Sequence, residues 1–245
     1  MLEKYFKKLY QRTMNEAYSL AHNEIVDSLS ITDAKCLDCG SSDGYKYNLL
    51  ETRAGLDRNS YYGIEWSPRL VEKAQKNNLN VVQGDLNKHL AFEDNEFQCV
   101  FGLSVLEHLL NPCHFLNECY RVLDDNGHLI ILTPNISTFF TAALILLGKM
   151  PSSGPHPDSD LLLKQEEIFK VSHESIEYDA ETDTPSHRHL IVFSYRVLMS
   201  YFKALGFKDI KGYGFGLYPF PNFMQPYLEK IDPYHCHQMV IVARK

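Results

Sequence analysis

Long apolar runs are missing from this sequence. The longest, Phe139–Gly148, falls well short of the ~20 residues that a membrane-spanning helix needs, so stable membrane insertion is not expected. A cationic excess is missing too: 24 Lys and Arg stand against 31 Asp and Glu, a formal charge of −7. Nucleic-acid phosphates call for a basic face, so no nucleic-acid partner is predicted. The opening residues Met1-Leu-Glu-Lys-Tyr-Phe-Lys-Lys8 mix charges and lack the apolar core of a secretory signal, which points to a soluble cytoplasmic protein. Nor is there a cysteine framework. Cys36 and Cys39 have C-x-x-C spacing, but Cys113, Cys119 and Cys236 supply no second close pair of the kind a zinc site uses. His235-Cys236-His237 reads as a loop leading into the last strand. Reduced thiols and no metal are the expectation.

What is present is ordinary globular material, 44% hydrophobic and 22% charged, in a chain long enough for one α/β domain with an insertion. The informative stretch is Ala34-Lys-Cys-Leu-Asp-Cys-Gly-Ser-Ser-Asp-Gly44. A short apolar strand ends at Asp38, a tight turn carries Gly40, Ser41 and Gly44, and a helix begins near Tyr45. Glycine admits backbone angles that a side chain forbids and lets a ligand approach the main chain at a helix start. That order suits a nucleoside lying across the carboxyl ends of a parallel sheet.

Two further strands end in an acid. Ser60–Glu65 delivers Glu65, about 20 residues past the turn, the spacing at which a carboxylate reaches ribose hydroxyls. Trp66 follows, placed to pack beside a base or cap the sheet edge, and Ser67-Pro68 starts another helix. Leu79–Asp85 delivers Asp85, which can accept from an exocyclic amine, with the Leu86 N–H beside it for a ring nitrogen. In a parallel sheet the three ends line one crevice, so Asp38, Glu65 and Asp85 are expected to converge there. Phe97–Ser104 is a strand buried on both faces. A helix over Pro112–Leu123, a turn at Asp124-Asp-Asn-Gly127 and a fifth strand over His128–Thr133 complete the alternation. Before it all, Leu2–Leu29 has the apolar spacing of one or two amphipathic helices that cover the sheet or fold over a ligand through Tyr10 or Tyr18.

Leu37-Asp-Cys-Gly-Ser-Ser-Asp-Gly44, Glu65, Gly84-Asp-Leu86, Phe92-Glu-Asp-Asn-Glu-Phe97, Val105-Leu-Glu-His-Leu109 and Leu123-Asp-Asp-Asn-Gly127 together resemble the class I S-adenosylmethionine-dependent methyltransferases. The matching stretch runs from about Ala34 to Asn135. The resemblance implies a Rossmann-like, seven-stranded, mostly parallel α/β sheet with helices on both faces and an antiparallel last strand. It also implies an S-adenosylmethionine pocket, with S-adenosylhomocysteine as product. Asp38 and Gly40 would lie near the methionine portion, Glu65 at the ribose and Asp85 and Leu86 at the adenine, with Ser104 and His108 bordering the methyl-donor end. Ser42 and Gln98 depart from the family pattern, which often has Gly and Asp there.

On this reading residues 1–245 form a single domain, 1–30 a helical cover and 135–190 an insertion that supplies a small-molecule acceptor pocket. The insertion's apolar Phe139–Leu147 offers an oligomer contact. Ser194 and Gly206 bracket a helix, Phe207–Ile210 and Gln238–Ala243 are the last strands, and Gly212–Tyr234 is an aromatic loop between them. Methyl transfer from a sulfonium needs alignment above all. A hydroxyl or protonated amine acceptor also needs a base, and His108, His187 and His189 are the candidates, His187 foremost because it ends the insertion. Arg188 could hold an acidic acceptor instead. Two alternatives stand beside this: a non-catalytic S-adenosylmethionine-binding or scaffold protein of the same fold, and an NAD-dependent oxidoreductase. The latter's G-x-G-x-x-G does not match Gly40-x-x-x-Gly44.

Overall fold

Strands that are apolar on both faces must be covered twice, and here they are. The computed structural model describes residues 2–30, 33–151, 153–157, 159, 161–162 and 188–245. Its seven strands are β1 (Cys36–Cys39), β2 (Tyr61–Glu65), β3 (Asn80–Gln83), β4 (Phe97–Leu103), β5 (Leu123–Pro134), β6 (Lys208–Phe215) and β7 (Gln238–Arg244). They form one sheet in the order β3-β2-β1-β4-β5-β7-β6, parallel except for β7, which runs antiparallel to β5 and β6. This is the Rossmann-like arrangement expected, antiparallel last strand included.

Alternation along each strand divides the core. Leu37, Leu129, Ile131, Met239 and Ile241 face one side, where helices α4 (Pro112–Val122) and α6 (Tyr195–Leu205) bring Phe115, Leu116, Leu198 and Phe202. Cys36, Ile130, Leu132, Val240 and Val242 face the other. There α1 (Leu2–Ser28) contributes Ala17, Ala21 and Ile25, α2 (Lys46–Ala54) Tyr47 and Leu50, and α3 (Pro68–Lys76) Val71 and Ala74. The amino-terminal segment is thus a single long helix. Its buried positions Leu9, Thr13, Ala17, Ala21 and Ile25 recur every four residues, and the alanines let it lie close on β4, β5 and β7. Cys36 and Cys39 point to opposite faces as core residues, so their spacing reports strand alternation.

Two boundaries differ from the sequence reading. β5 starts at Leu123, which pairs with Phe97; the ladder then resumes at His128 opposite Cys99. The turn residues do make an excursion, with Asn126 at φ +68°, but inside the strand. The supposed loop at Gly212–Tyr234 begins as strand, because β6 continues through Phe215, and it contains α7 (Gln225–Ile231). Glycines had disguised that strand: a Cβ at Gly212 would overlap the Tyr195 ring. The apolar Phe139–Leu147 segment forms α5 (Phe139–Leu146), capped by Thr138 Oγ1 accepting from Thr141 N. No helix among the described residues is long and apolar enough to cross a membrane.

Asn135, just past β5, fastens the carboxyl edge. Its Nδ2 donates to Tyr234 O and Cys236 O at 2.8 Å, and its Oδ1 accepts from Ser137 N and Tyr195 N. One amide therefore joins the end of β5, the start of α6 and the approach to β7.

The segment between β3 and β4 is held by Glu118 on α4. Its carboxylate accepts from Leu90 N at 2.8 Å and from both Arg121 Nε and Nη2, while Arg121 also donates to Leu90 O and Phe92 O. Arg121 holds the Glu118 carboxyl down to about 2 against the upward push of burial, with the Leu90 N–H assisting. A carboxyl depressed on folding stabilises the fold fully above the ordinary glutamate range and loses that contribution as pH falls toward 2. Urea midpoints measured from pH 6 down to pH 3 should therefore fall more steeply in the wild type than in Glu118→Gln; parallel curves would show that the carboxylate is not under tension.

Candidate functional site

The carboxyl ends of β1, β2 and β4 and the segment after β3 open on one cavity of about 360 Å³. Gly40, Ile64, Glu65, Trp66, Gly84, Asp85, Leu86, Asn87, Ser104, Val105 and His108 line it, with Leu109 and Leu110 at the rim. This is within the size range of small-molecule sites. Of the expected cofactor residues, Gly40, Glu65, Trp66, Asp85, Leu86, Ser104 and His108 meet here; Asp38, Ser41 and Gly44 stand behind the wall.

The wall is built from the turn after β1. Gly40 (φ +75°) and Ser41 donate their N–H groups to Ile64 O at 2.9 and 3.0 Å, which stitches the turn to β2. A Cβ on Gly40 would lie 2.6 Å from Val105 Cγ2, so glycine is what lets the turn seat against the exit of β4. Gly44 packs against Leu79 and Ala74 and serves helix placement, not the cavity surface. Ser42 between them takes φ +54°, a left-handed conformation that costs a non-glycine residue about 1 kcal/mol. Its N–H donates to Glu65 Oε2 at 2.9 Å, and Glu65 Oε1 accepts from Ser67 N at 2.9 Å. Glu65 thus ties the turn to the start of α3 while lining the cavity.

Asp38 corrects the expectation of three converging acids. Its carboxylate is fully buried, 3.1 Å from Lys46 Nζ through both oxygens and 2.8 Å from the Tyr61 hydroxyl, which donates to it. Lys46 Nζ also donates to Gly40 O at 3.2 Å. Burial raises the Asp38 carboxyl, and Lys46 and Tyr61 draw it back. Burial likewise opposes the Lys46 charge, but Asp38 outweighs it and keeps the lysine protonated. Two acids, Glu65 and Asp85, remain at the cavity. Asp85 accepts from Asn87 N and Nδ2 at 2.9 Å; burial lifts its carboxyl, and these bonds with nearby Lys88 more than compensate. Asn87 in turn accepts from Leu110 N and Asn111 N, closing the rim.

At the far end Ser104 takes φ +56°, and its Oγ accepts from the Tyr18 hydroxyl of α1 at 3.1 Å. The helical cover thus reaches the cavity wall through Tyr18; Tyr10 packs against His237 instead, ring centroids 5.9 Å apart. His108 Nδ1 lies 3.0 Å from Arg188 O, and its ring is 5.1 Å from that of His189. Glu107, 2% exposed, turns inward, and Thr133 Oγ1 donates to its Oε2 at 2.9 Å. Burial raises the Glu107 carboxyl and lowers the His189 imidazole. Donor atoms of Glu107, His108 and His189 lie within 4.8 Å of one another. His187 lies outside the described residues.

Sequence reasoning missed Lys46, Asn87 and Glu107. A lysine in the first turn of a helix reads as solvated, and an asparagine two residues past Asp85 reads as loop. Glu107 was visible only as the neighbour of His108.

Residues 37–131 match the family description of a methyltransferase domain. An uncharacterized protein of Methanocaldococcus jannaschii is 33% identical over 134 residues, 53% of this chain and 56% of that protein. The ubiquinone biosynthesis O-methyltransferase of Glaesserella parasuis is 28% identical over 151 residues, 56% of this chain and 61% of that one. The chain therefore spans little more than half the length of these curated relatives. A crystal structure of an S-adenosylmethionine-dependent methyltransferase from Thermotoga maritima superposes with a TM-score of 0.53 at 19% identity, covering 97% of this chain and 99% of that one, a likeness of fold.

The buried pair behind the wall makes a sharp stability test. Lys46→Ala leaves the Asp38 charge uncompensated and should lower unfolding stability by about 3–5 kcal/mol in urea titrations. The paired replacement Asp38→Leu with Lys46→Met should recover most of that loss. A Lys46→Ala protein as stable as the wild type would remove the pair from the account of the wall.

Proposed function

Because the chain belongs to the class I S-adenosylmethionine-dependent methyltransferases, with that domain in residues 37–131, we propose that it transfers a methyl group to an oxygen or nitrogen of a small molecule. The observation that carries this reading is the cavity where Glu65, Asp85, Ser104 and His108 meet at the carboxyl edge of the sheet. Its donor set fits an adenosyl ligand. Glu65 can accept from two vicinal hydroxyls, Asp85 from an exocyclic amine, and Gly40 offers bare backbone at close range.

When bound, S-adenosylmethionine supplies a methyl group on a sulfonium, an electrophile whose leaving group is already good. The chain's own task is then to hold and align. Glu65 and Asp85 fix one end of the ligand, Trp66 covers it, and Ser104, fixed by Tyr18, shapes the other end beside His108. The insertion at 135–190 supplies the acceptor side in this reading. The acidic balance of the chain favours a small molecule over a nucleic acid. The name of the Glaesserella relative supports an oxygen acceptor.

Calorimetric titration with S-adenosylmethionine, S-adenosylhomocysteine and NAD separates the readings. Binding of the first two in the micromolar range, with no heat from NAD, is expected. Glu65→Gln should weaken S-adenosylhomocysteine roughly tenfold, the advantage of a charge-assisted hydrogen bond over a neutral one. Absence of binding by the wild type would leave a scaffold of the same fold. Incubation of labelled methyl donor with a metabolite pool, read by mass spectrometry, should then show label in a small molecule.

A further inference from the structure

At the methyl-donor end of the cavity His108 belongs to a group whose other members, Glu107 and His189, are not among the residues that line it. Glu107 and His108 sit in the short turn after β4, and His189 comes from the distant segment that precedes α6. Their donor atoms lie within 4.8 Å of one another, with Glu107 Oε1 4.0 Å from His108 Nε2. We propose that Glu107, His108 and His189 bind a divalent cation of the zinc class, and that this ion takes the hydroxyl oxygen of the acceptor. The proposal rests on the methyltransferase reading for its role, though not for the site itself, and it departs from the metal-free expectation of the sequence.

Three independent features support it. First, both imidazoles are oriented as metal ligands are. His108 Nδ1 contacts Arg188 O at 3.0 Å and His189 Nδ1 contacts Ser153 O. A carbonyl only accepts, so each Nδ1 carries a proton, which leaves Nε2 as the ligating atom of each ring; burial lowers the His189 imidazole. A ring N–H fixed on a backbone carbonyl is the usual outer contact of a metal-bound histidine. Second, the carboxylate is oriented as well: Thr133 Oγ1 donates to Glu107 Oε2 at 2.9 Å, which leaves Oε1 on the side of His108. Third, Glu107 is 2% exposed, and among the described residues no lysine or arginine pairs with it. A buried carboxylate calls for a positive partner.

The donor set selects the ion. Two imidazoles and one carboxylate suit zinc, cobalt or iron better than magnesium, which prefers oxygen and retains its water. Zinc–ligand bonds of about 2.1 Å set tetrahedral ligands about 3.4 Å apart, so the present spacing closes by small side-chain rotations. Three protein ligands leave a fourth position open, as in catalytic zinc sites. His108 lines the cavity, so an ion held by it adjoins the space in which the acceptor is proposed to bind. A hydroxyl bound there is acidified and releases its proton to solvent. Its oxygen then forms the new O–C bond as the C–S bond breaks and the electron pair stays on sulfur, giving a thioether and a methyl ether.

The test is zinc titration of the full chain after chelator treatment, followed by calorimetry and by the visible spectrum of the cobalt-substituted protein. One ion per chain is expected, with affinity reduced at least a hundredfold in Glu107→Gln and in His189→Gln. Thr133→Val, which touches only the orienting bond, should weaken the ion about 10–100-fold. S-Adenosylhomocysteine affinity, measured in parallel, should be unchanged in Glu107→Gln and Thr133→Val, which shows that these variants are folded. No stoichiometric binding, or equal affinity in the wild type and all three variants, overturns the site and leaves a purely structural Glu–His cluster. Full methyl transfer to a hydroxyl acceptor by the chelated protein overturns the ion's role. Failure of S-adenosylhomocysteine to bind the wild type is a separate result that strikes the methyltransferase reading and not the cation site.

Discussion

A lysine ammonium buried under the glycine turn is the contact around which the carboxyl edge of the sheet is assembled. Lys46 Nζ reaches both oxygens of Asp38 and the carbonyl of Gly40, and Tyr61 donates to the same carboxylate from β2. Four pieces of chain meet there: the end of β1, the turn, the first turn of α2 and the start of β2. Buried ion pairs seldom add net stability over apolar side chains of equal size, because desolvation offsets the attraction. What this one adds is position. An apolar plug could slide, whereas a two-point contact to Asp38 and a third to Gly40 admit only one placement of α2 relative to β1. That placement sets where Gly40 and Glu65 stand at the cavity.

The same edge stores backbone strain. Ser42 and Ser104 both hold left-handed angles, and both lie where the sheet meets the cavity. Each is over-determined by its neighbours. Ser42 gives its N–H to Glu65, while Ser104 gives its N–H to Leu132 O at 2.8 Å and receives the Tyr18 hydroxyl. Such angles persist only where surrounding contacts outweigh their cost of about 1–3 kcal/mol each. Glycine at position 42 would relieve the backbone but free the turn; serine there trades a little energy for a turn with fewer conformations. Asn135 does comparable work farther along the edge, where four hydrogen bonds from one side chain join β5, α6 and β7.

These features explain what could and could not be read from the sequence. The sheet was legible because parallel strands covered on both faces must be apolar throughout, and because each short strand was followed by a turn signal and a helical pattern. Glu65 and Asp85 were legible because strand ends in such a sheet point to one crevice. Asp38 obeyed the same rule at the level of backbone, yet its side chain turned to Lys46, eight residues on, and nothing local marks that lysine as buried. β6 was half hidden because Gly212 and Gly214 read as loop while serving close packing against Tyr195 and Pro233. The cluster of Glu107, His108 and His189 was illegible for a different reason. It joins positions about 80 residues apart in a chain with no ligand spacing to announce them, and only the return of the chain to α6 brings them together.

Glu107 then poses the question of why an acid stands there at all. A glutamine would accept the same bond from Thr133 without the cost of desolvating a charge. Its backbone carbonyl, which accepts from Leu190 N at 2.7 Å, is indifferent to the side chain. Packing and hydrogen bonding therefore do not call for ionisation. A carboxylate is needed only if positive charge arrives; no lysine or arginine among the described residues supplies it, and burial lowers the His189 imidazole beside it. A cation shared among the three satisfies the acid and both rings at once. It also places positive charge beside the position where an acceptor oxygen must lose its proton, the one chemical task that alignment of a sulfonium methyl leaves undone.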